Sequence, residues 1–430
     1  VIQSLGKGTA KDWAEVLQCG DELLTLAGGV KEAAEALWHV RKEQDLDNLR
    51  GVQDKVLDGL IHPLLLDYLR SVEEKGMVAR HPGSTERVEA GLHPNAKAHL
   101  DQVYKQIFKD VRKHRVLVVR KDNVALGNTV SSPFEAVDKM LPDRPIAPDK
   151  RVVHDQRQVN QATSKWWHPP ALQPTHQQIA RRVLWHKTRF PGIDVVICKR
   201  DIAGAFRLLW LAPKDAHLFA GDLPWKEEMM EQDTEGIYAE GNHEKSEMTV
   251  IYLVSSFGFS GAPGEWTAFG RATEEYHRAH RPGESRRDGL AGFDAKILVD
   301  DMVLVEPQVG LRPWVSSEVY EWAVRKVLGD QAINAQKDAE EGSFAEAQTV
   351  WGVIINARTE KMALPEARVL KGAYLLAEPQ FNYGEMWLTL KDLQRFRGIA
   401  TGWATVVRGL RNELKAADRF LGGLDGGARV

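Results

Sequence analysis

The sequence predicts an α+β protein: a helical N-terminal region, then an antiparallel sheet backed by helices, then further helices. Three observations predict it. Apolar positions recur at helical spacing from Lys11 to about Lys113, short β-rich runs begin at Arg115 and recur to Leu364, and a helical pattern returns at Leu390.

In the first region Trp13, Val16 and Leu17, then Val56, Leu60, Leu64 and Leu65, alternate with charged residues, with helix breaks expected at Gly28-Gly29 and at His81 to Ser84. Arg115 to Arg120 reads as a strand, and Pro133, Pro142, Pro145 and Pro148 mark an extended, loop-rich stretch from Ser131 onward. The apolar run Val195 to Cys198 leads into Lys199-Arg200-Asp201, which sets Asp201 at or just past a strand end, where a carboxylate faces a cleft more easily than a core. The acidic stretch from Lys226 to Glu247, including Gly241-Asn242-His243, reads as a solvated loop before a strand from Met248 to Val254. Phe257 to Pro263 is a glycine-bearing turn able to approach a ligand closely, and a helix follows with Trp266, Phe269, Ala272 and Tyr276 on one face. Lys296 to Val305, KILVDDMVLV, predicts a hairpin with Asp300 and Asp301 at its tip. A helix is expected from Ser317 to Leu328, capped by Ser316 or Ser317 and stopped by Gly329, then a hairpin around Val350 to Ile355 and Met362 to Leu364. The last pattern, Leu390, Leu393, Phe396, Ala400, Trp403 and Val407, precedes a glycine-rich tail from Gly422 to Val430.

A chain of 430 residues, 43% hydrophobic and 27% charged, buries a sizeable core and is expected to divide into two to four subdomains. It has no apolar run near the ~20 residues of a membrane span and no signal-peptide pattern at Val1 to Trp13, so an intracellular address without a membrane partner is expected. Two cysteines, Cys19 and Cys198, are too few for a disulfide framework or a zinc site. The net charge of −3 argues mildly against a nucleic-acid partner. Between Lys150 and Arg207, however, basic residues such as Arg151, Arg157, Lys165, Arg181 and Arg182 greatly outnumber acids, a block suited to lining a groove.

Asp-Asp is a common turn dipeptide, because aspartate hydrogen-bonds its own backbone. Two adjacent acids between apolar strands are nonetheless costly unless a cation neutralises them. With Asp201 at a second strand end and a glycine turn between, the set points to metal chemistry. Oxygen-only ligands suit Mg2+ or Mn2+, and paired ions of this kind serve nucleotidyl transfer.

In these residues the chain resembles the reverse transcriptases, especially those of retrotransposons, over roughly Ser131 to Trp403. Arg151-Val-Val-His-Asp155-Gln-Arg157-Gln-Val-Asn160 is similar to the family's R-x-x-x-D-x-R-x-x-N signature, preceded by Ser132-Pro133 and Val137-x-Lys139. Asp201-Ile-Ala-Gly-Ala-Phe206 resembles the first palm motif, Phe257-Gly258 through Pro263 the family's glycine turn, and Asp300-Asp301 its paired aspartates. Asn334-Ala-Gln-Lys337 resembles its N-x-x-K, and Val350-Trp351-Gly352 the turn that grips the primer. Leu298 departs from the pattern, since the family usually places an aromatic two residues before the aspartate pair.

The resemblance implies a right-hand polymerase, with a helical region over residues 1–114, fingers and palm over 115–372 and thumb-like helices with the tail over 373–430. It implies Asp201, Asp300, Asp301 and the Ile202 carbonyl as ligands of Mg2+, with Mn2+ as an alternative. Lys337 would protonate the departing pyrophosphate, and Arg151, with Asp155 and Arg157 in the same signature, would meet the incoming triphosphate. Phe206 would lie under the sugar and exclude a 2′-hydroxyl. Phe257, Gly258 and Pro263 would support the nascent base pair. The implied partners are an RNA or DNA template with an annealed primer and deoxynucleoside triphosphates. No ribonuclease H, integrase or recombinase segment is expected within the chain.

Two other functions stay open on the sequence: an RNA-dependent RNA polymerase, which Phe206 disfavours, and a domesticated, non-catalytic nucleic-acid-binding relative, which retention of all three aspartates disfavours. Simpler roles stand beside the sharp ones. Arg151, Asp155 and Arg157 suit a surface ion-pair ladder, and Phe206 and Phe257 suit core packing. His277 and His280 have ligand-like spacing without a third partner. Trp166-Trp167-His168-Pro169-Pro170 suits either stacking on a single strand or packing, with packing the expectation.

Overall fold

The computed structural model describes residues 8, 10–44, 49–138, 149–224, 247–280, 292–382, 388–407 and 409–425. Lys139, Pro142, Pro145, Pro148, the acidic stretch 226–246 and the tail beyond Asp425 lie outside them.

The helical first region is present as Ala10–Ala27, Val30–Gln44, Pro63–Lys75, Pro94–Ala98 and Leu100–Val111. The first two helices part at Gly28, whose φ of 83° suits a residue without a side chain. The helix Pro63–Lys75 stops at Gly76, earlier than the break expected at His81 to Ser84. There the Met77 N–H bonds the Trp210 carbonyl at 2.7 Å and the chain runs on without a helix to His93.

Eleven strands follow among the described residues: β1 (Val116–Arg120), β2 (Phe134–Asp138), β3 (Lys150–His154), β4 (Val195–Asp201), β5 (Ala220–Leu223), β6 (Met248–Tyr252), β7 (Lys296–Leu298), β8 (Asp301–Pro307), β9 (Ala347–Val350), β10 (Val353–Asn356) and β11 (Lys361–Ala363). They form antiparallel sheets in the orders β1-β6-β5, β2-β3, β4-β8-β7 and β11-β10-β9. The fold is therefore α+β with antiparallel sheets. β2 and β3 occupy the stretch expected to be mainly loop, because Ala136 and Val152 give each a buried, alternating face.

The β4-β8-β7 sheet is covered on both faces. Along β4 and β8 the side chains alternate, so Cys198, Met302 and Leu304 join the large core that also holds Trp266, Phe269 and Tyr320. Val195, Ile197, Val303 and Val305 face the other way and pack with Ile179 and Val183 of the helix His176–Arg189 and with Val350 and Ile355. A one-residue slip would exchange the two sets, so burial on both sides fixes the register.

Two helices differ from expectation. The one ending at Leu328 begins at Arg312, with Pro313 in its first turn, and Ser316 and Ser317 are interior and buried rather than capping. Ser316 Oγ donates to Glu306 Oε1 at 2.9 Å, and Arg312 Nε donates to Glu306 Oε2 at 2.7 Å. The helix Leu410–Asp425 extends into the expected glycine-rich tail and packs on Leu390–Trp403 through Ala400, Ala404 and Leu414. Among the described residues no helix is long and apolar enough to cross a membrane.

Glu306 is fully buried. Removing one member of a buried pair strands the other's charge, at a cost of about 3–5 kcal/mol. Glu306→Ala should lower unfolding stability by that order in urea titration. Glu306→Gln, which can still accept from Ser316, should lose less.

Candidate active site

Asp201 ends β4 and Asp301 begins β8, and the two are Cα partners in the antiparallel register, so their side chains share one face of the sheet. Asp300 precedes them at the turn of the β7-β8 hairpin. Its carbonyl accepts the Ile202 N–H at 2.8 Å, tying the tip to the residue after Asp201. The tip is strained, with Val299 at φ 57°, a region that β-branched residues avoid. The Trp266 indole N–H holds it by donating to the Val299 carbonyl at 2.6 Å. Strain of this kind persists only where the surroundings over-determine it, and here it aims the acid pair.

Asp201 is not bare. Lys337 Nζ and Asn334 Nδ2 each lie 2.5 Å from one of its carboxylate oxygens. Asn334 also caps the short helix Ala335–Glu341, and Asp338 of that helix accepts from the Asp201 N–H at 3.2 Å. Arg200 fixes the same helix through Asp338 at 2.9 Å, and reaches Glu321 at 3.0 Å on the neighbouring helix. Thus the Asn334-to-Lys337 segment is locked against the end of β4. Burial opposes the Lys337 charge, but Asp201, Asp300 and Asp301 together raise its pKa above the ordinary lysine value.

The paired aspartates lack such relief. Burial and the Asp201 charge raise Asp300, which Lys337 and Arg151 only partly offset. Although one edge of Asp301 is open to solvent, the protein around it and the Asp300 charge push its carboxyl up to about 6. A cleft of about 10 Å³ separates Asp201 and Asp301, bordered also by Lys199, Arg200, Lys337 and Glu341. Among the described residues no three His, Cys, Asp or Glu side chains form a ready cation cage. The donor set nonetheless fits a small hard cation: carboxylate oxygens, a narrow cleft and two acids whose repulsion Lys337, Arg151 and Lys199 offset only in part.

Around this centre the other residues fall into two groups. Phe206 is buried and its ring centre lies 4.8 Å from that of Phe257. Arg207, the next residue, forms a buried ion pair with Asp110 of the helix Leu100–Val111. Gly258, at φ 110°, leaves room for the His154 carbonyl, which would stand 2.1 Å from a Cβ there. Asn160 bonds the same turn twice, donating to the Gly258 carbonyl and accepting from the Ser260 N–H, each at 2.8 Å. Pro263 sits in the first turn of the helix Ala262–Ala279.

The Arg151 signature divides. Arg157 is bound by Asp155 through its Nε and Nη2, at 2.6 to 2.9 Å. That hydrogen bonding holds Asp155 down to about 2 against burial, with His93 adding to it. These two form the surface pair that the simpler reading expects. Arg151 stands apart, exposed on β3 and close enough to bias Asp300.

His277 Nε2 donates to the Ser316 carbonyl and His280 Nδ1 to that of Tyr276, so both serve structure. Trp166 and Trp167 do not pack: they are 83% and 58% exposed.

One buried cluster had no sequence signal. Glu265, fully buried at the start of the helix after the glycine turn, meets Arg80 Nη1 at 2.5 Å and His168 Nδ1 at 2.7 Å, and accepts from the Tyr68 hydroxyl. It binds the turn to the N-terminal region. Only an acid within a first helical turn, at an otherwise apolar position, could have flagged it.

No family model matches the chain, and no curated protein sequence matches it. Among solved structures it is similar to a foamy viral protease-reverse transcriptase dRH in complex with ds DNA, at 12% identity and a TM-score of 0.48, covering 87% of this chain and 55% of that one. A second is the foamy viral protease-reverse transcriptase in complex with dsDNA, at 13% identity and a TM-score of 0.43, covering 81% and 61%. The chain thus spans somewhat over half the length of these structures. Likenesses this distant establish neither family nor activity.

The raised Asp301 carboxyl has a defined sign. Between the ordinary carboxylate pKa near 3.9 and about 6, the folded protein holds a proton that the unfolded chain has released. Stability therefore falls as pH rises through that window, and the penalty is complete above it. In chelator-treated protein, Asp301→Asn should melt at a higher temperature than wild type at pH 7.5. The two curves should converge near pH 4.

Proposed function

We propose that this chain is the polymerase core of a retroelement reverse transcriptase, transferring deoxynucleotides onto a primer 3′ end. The observation that carries the reading is the register that sets Asp201 against Asp301 with Asp300 adjacent, on an edge that Arg151 and Lys337 also approach. Three acids brought this close store repulsion that only cations relieve, and a polymerase puts such a site to use. The order of the motifs, from the Arg151 signature through Asp201, the glycine turn, Asp300-Asp301 and Asn334-to-Lys337, supports the same assignment.

In this reading Asp201, Asp300, Asp301 and the Ile202 carbonyl hold Mg2+ or Mn2+. Two such ions, when bound, activate the attacking hydroxyl and stabilise the leaving pyrophosphate. The protein's own residues do the rest. Arg151 meets the triphosphate from the fingers side, as a guanidinium suits phosphate oxygens. Lys337, kept protonated by the aspartates, supplies a proton to the departing pyrophosphate. Phe206, backed by Phe257 and braced through Arg207 and Asp110, forms the wall under the sugar. The turn held by Asn160 and Glu265 supports the template base. Template and primer are RNA or DNA, and the substrates are deoxynucleoside triphosphates.

One observation favours a second reading. Lys337 and Asn334 already satisfy Asp201, so the acidic edge is partly neutralised without an ion. That suits a domesticated, non-catalytic nucleic-acid-binding relative.

Primer extension separates the two. Purified protein with Mg2+ or Mn2+ should extend an annealed primer on RNA and DNA templates, and Asp300→Ala-Asp301→Ala should lower the rate by at least about a thousandfold, since ligand loss removes several kcal/mol of charge stabilisation. No extension by wild type under any of these conditions would favour the binding protein, and extension surviving in the variant would remove the metal assignment. Phe206→Ala should raise ribonucleotide incorporation by on the order of tenfold or more in single-nucleotide assays, because the wall then loses its ring. Unchanged sugar selectivity would exclude the gate.

A further inference from the structure

Two adjacent tryptophans facing solvent are unusual, because tryptophan is highly buried on average and its ring is among the largest apolar groups a chain carries. Trp166 is 83% exposed and Trp167 58% exposed. They are not on a loose tip. Both lie in a single 3-10 turn, Lys165–Trp167, whose N-cap Ser164 accepts from the Trp166 N–H at 3.3 Å.

The turn is anchored at both ends. Upstream, the Thr163 hydroxyl donates to the Ala79 carbonyl at 3.1 Å. Downstream, His168 is buried against Glu265 and stacks edge-on to Phe259 at 5.4 Å. Gly261 and Gly264 make room for this docking. A Cβ on the first would lie 2.5 Å from the His168 ring, and one on the second 1.9 Å from the Pro169 carbonyl. The tryptophans therefore hold a fixed position beside the turn from Phe257 to Pro263, presented outward by the anchors on either side.

A cation stands beside them: Lys165 Nζ lies 4.9 Å from the Trp166 ring centre. Aromatic rings interleaved with cations are the chemistry that takes single-stranded nucleic acid: bases stack on the rings and phosphates meet the cations, with little dependence on sequence. Pro170 and Leu172 after the tryptophans are exposed as well, and it is the lysine beside Trp166 that favours a phosphate-bearing strand over a protein partner there.

We propose that Lys165, Trp166 and Trp167 form a stacking platform for unpaired bases of a nucleic-acid strand that runs past the glycine turn. The inference rests on the polymerase reading for the identity of that strand, the unpaired part of the template, but not on catalysis. The platform binds bases whether or not nucleotides are joined.

The test is binding, measured by fluorescence anisotropy on the full chain without nucleotides. The probes are a labelled oligo-dT, a labelled oligo-U, a primer–template with an unpaired 5′ template extension and the same duplex made blunt. Trp166→Ala-Trp167→Ala should weaken binding of the single strands and of the extended duplex by about tenfold or more, the effect expected for losing stacking of one to two bases. Blunt-duplex affinity and melting temperature should stay within about twofold and a degree or so of wild type, as for a surface change. Trp166→Phe-Trp167→Phe, which keeps a ring at each position, should recover most of the loss. The DNA and RNA arms show which strand the platform serves, and a loss on either supports it.

Equal affinity of wild type and the alanine variant for every probe would overturn the platform while leaving the polymerase reading intact. So would a loss of the same size on the blunt duplex, or a change of oligomeric state in light scattering with oligonucleotide affinity unchanged. Wild type that binds none of the probes and extends no primer would overturn both.

Discussion

The structure turns on the register between β4 and β8. A sheet buried on both faces cannot slip, because each residue's side is set by what covers it: helices Arg312–Leu328 and Ala262–Ala279 on one face, helix His176–Arg189 and Val350 and Ile355 on the other. With that register fixed by apolar residues from Val195 to Pro307, the chain has no freedom over where its acids go. Asp201 must stand against Asp301, and the hairpin turn must bring Asp300 beside them. The core thus spends hydrophobic stabilisation to force together like charges that would separate if the strands were free to choose, which is the inverse of what a stable surface does.

The helical N-terminal region shares in that constraint. Asp110 reaches Arg207 immediately after Phe206, and Arg115 lies 3.1 Å from where a Cβ of Gly204 would stand. On the other side Tyr68 and Arg80 reach Glu265 just after the glycine turn. Phe206 and Phe257, which touch each other, are therefore each braced by a different part of the same region. Buried charge pairs contribute little net stability but penalise any alternative arrangement heavily, so they suit the task of fixing position. On the proposed reading, this region sets the shape of the nucleotide pocket and the placement of the stacking platform without touching either ligand.

Legibility in the sequence followed the range of the interactions. The hairpin around Asp300-Asp301, the strand ending at Asp201 and the helix carrying Trp266 and Phe269 were readable, because local periodicity and turn chemistry determine them. The start of the helix at Arg312 was misplaced because Ser316 and Ser317 look like caps, whereas Ser316 in fact satisfies a buried glutamate ten residues upstream. The strands β2 and β3 were hidden by the surrounding prolines. Trp166 and Trp167 were expected to pack, since hydrophobicity alone predicts burial, and the anchoring of His168 that holds them outward depends on contacts about a hundred residues away. Asp110 with Arg207 spans a similar separation and Glu265 with Arg80 a longer one, and no pattern in one sequence marks such pairs.

Lys337 joins these themes. The repulsion created by the β4-β8 register has to be relieved in the protein by itself, and the structure does so with a lysine delivered by a short helix locked to the end of β4 through Asn334, Asp338 and Arg200. A lysine is well suited, because its ammonium is a compact cation on a long flexible stem and can leave the carboxylate without disturbing the backbone. It neutralises Asp201 but leaves Asp300 and Asp301 with raised carboxyls, so the relief is partial and the remaining charge faces the cleft. The site is thus folded with an internal cation on one acid and an unmet demand for positive charge at the other two. Under the proposed function that demand is for divalent metal, and the same lysine, displaced from Asp201 but still protonated beside it, is then free to act on the leaving group.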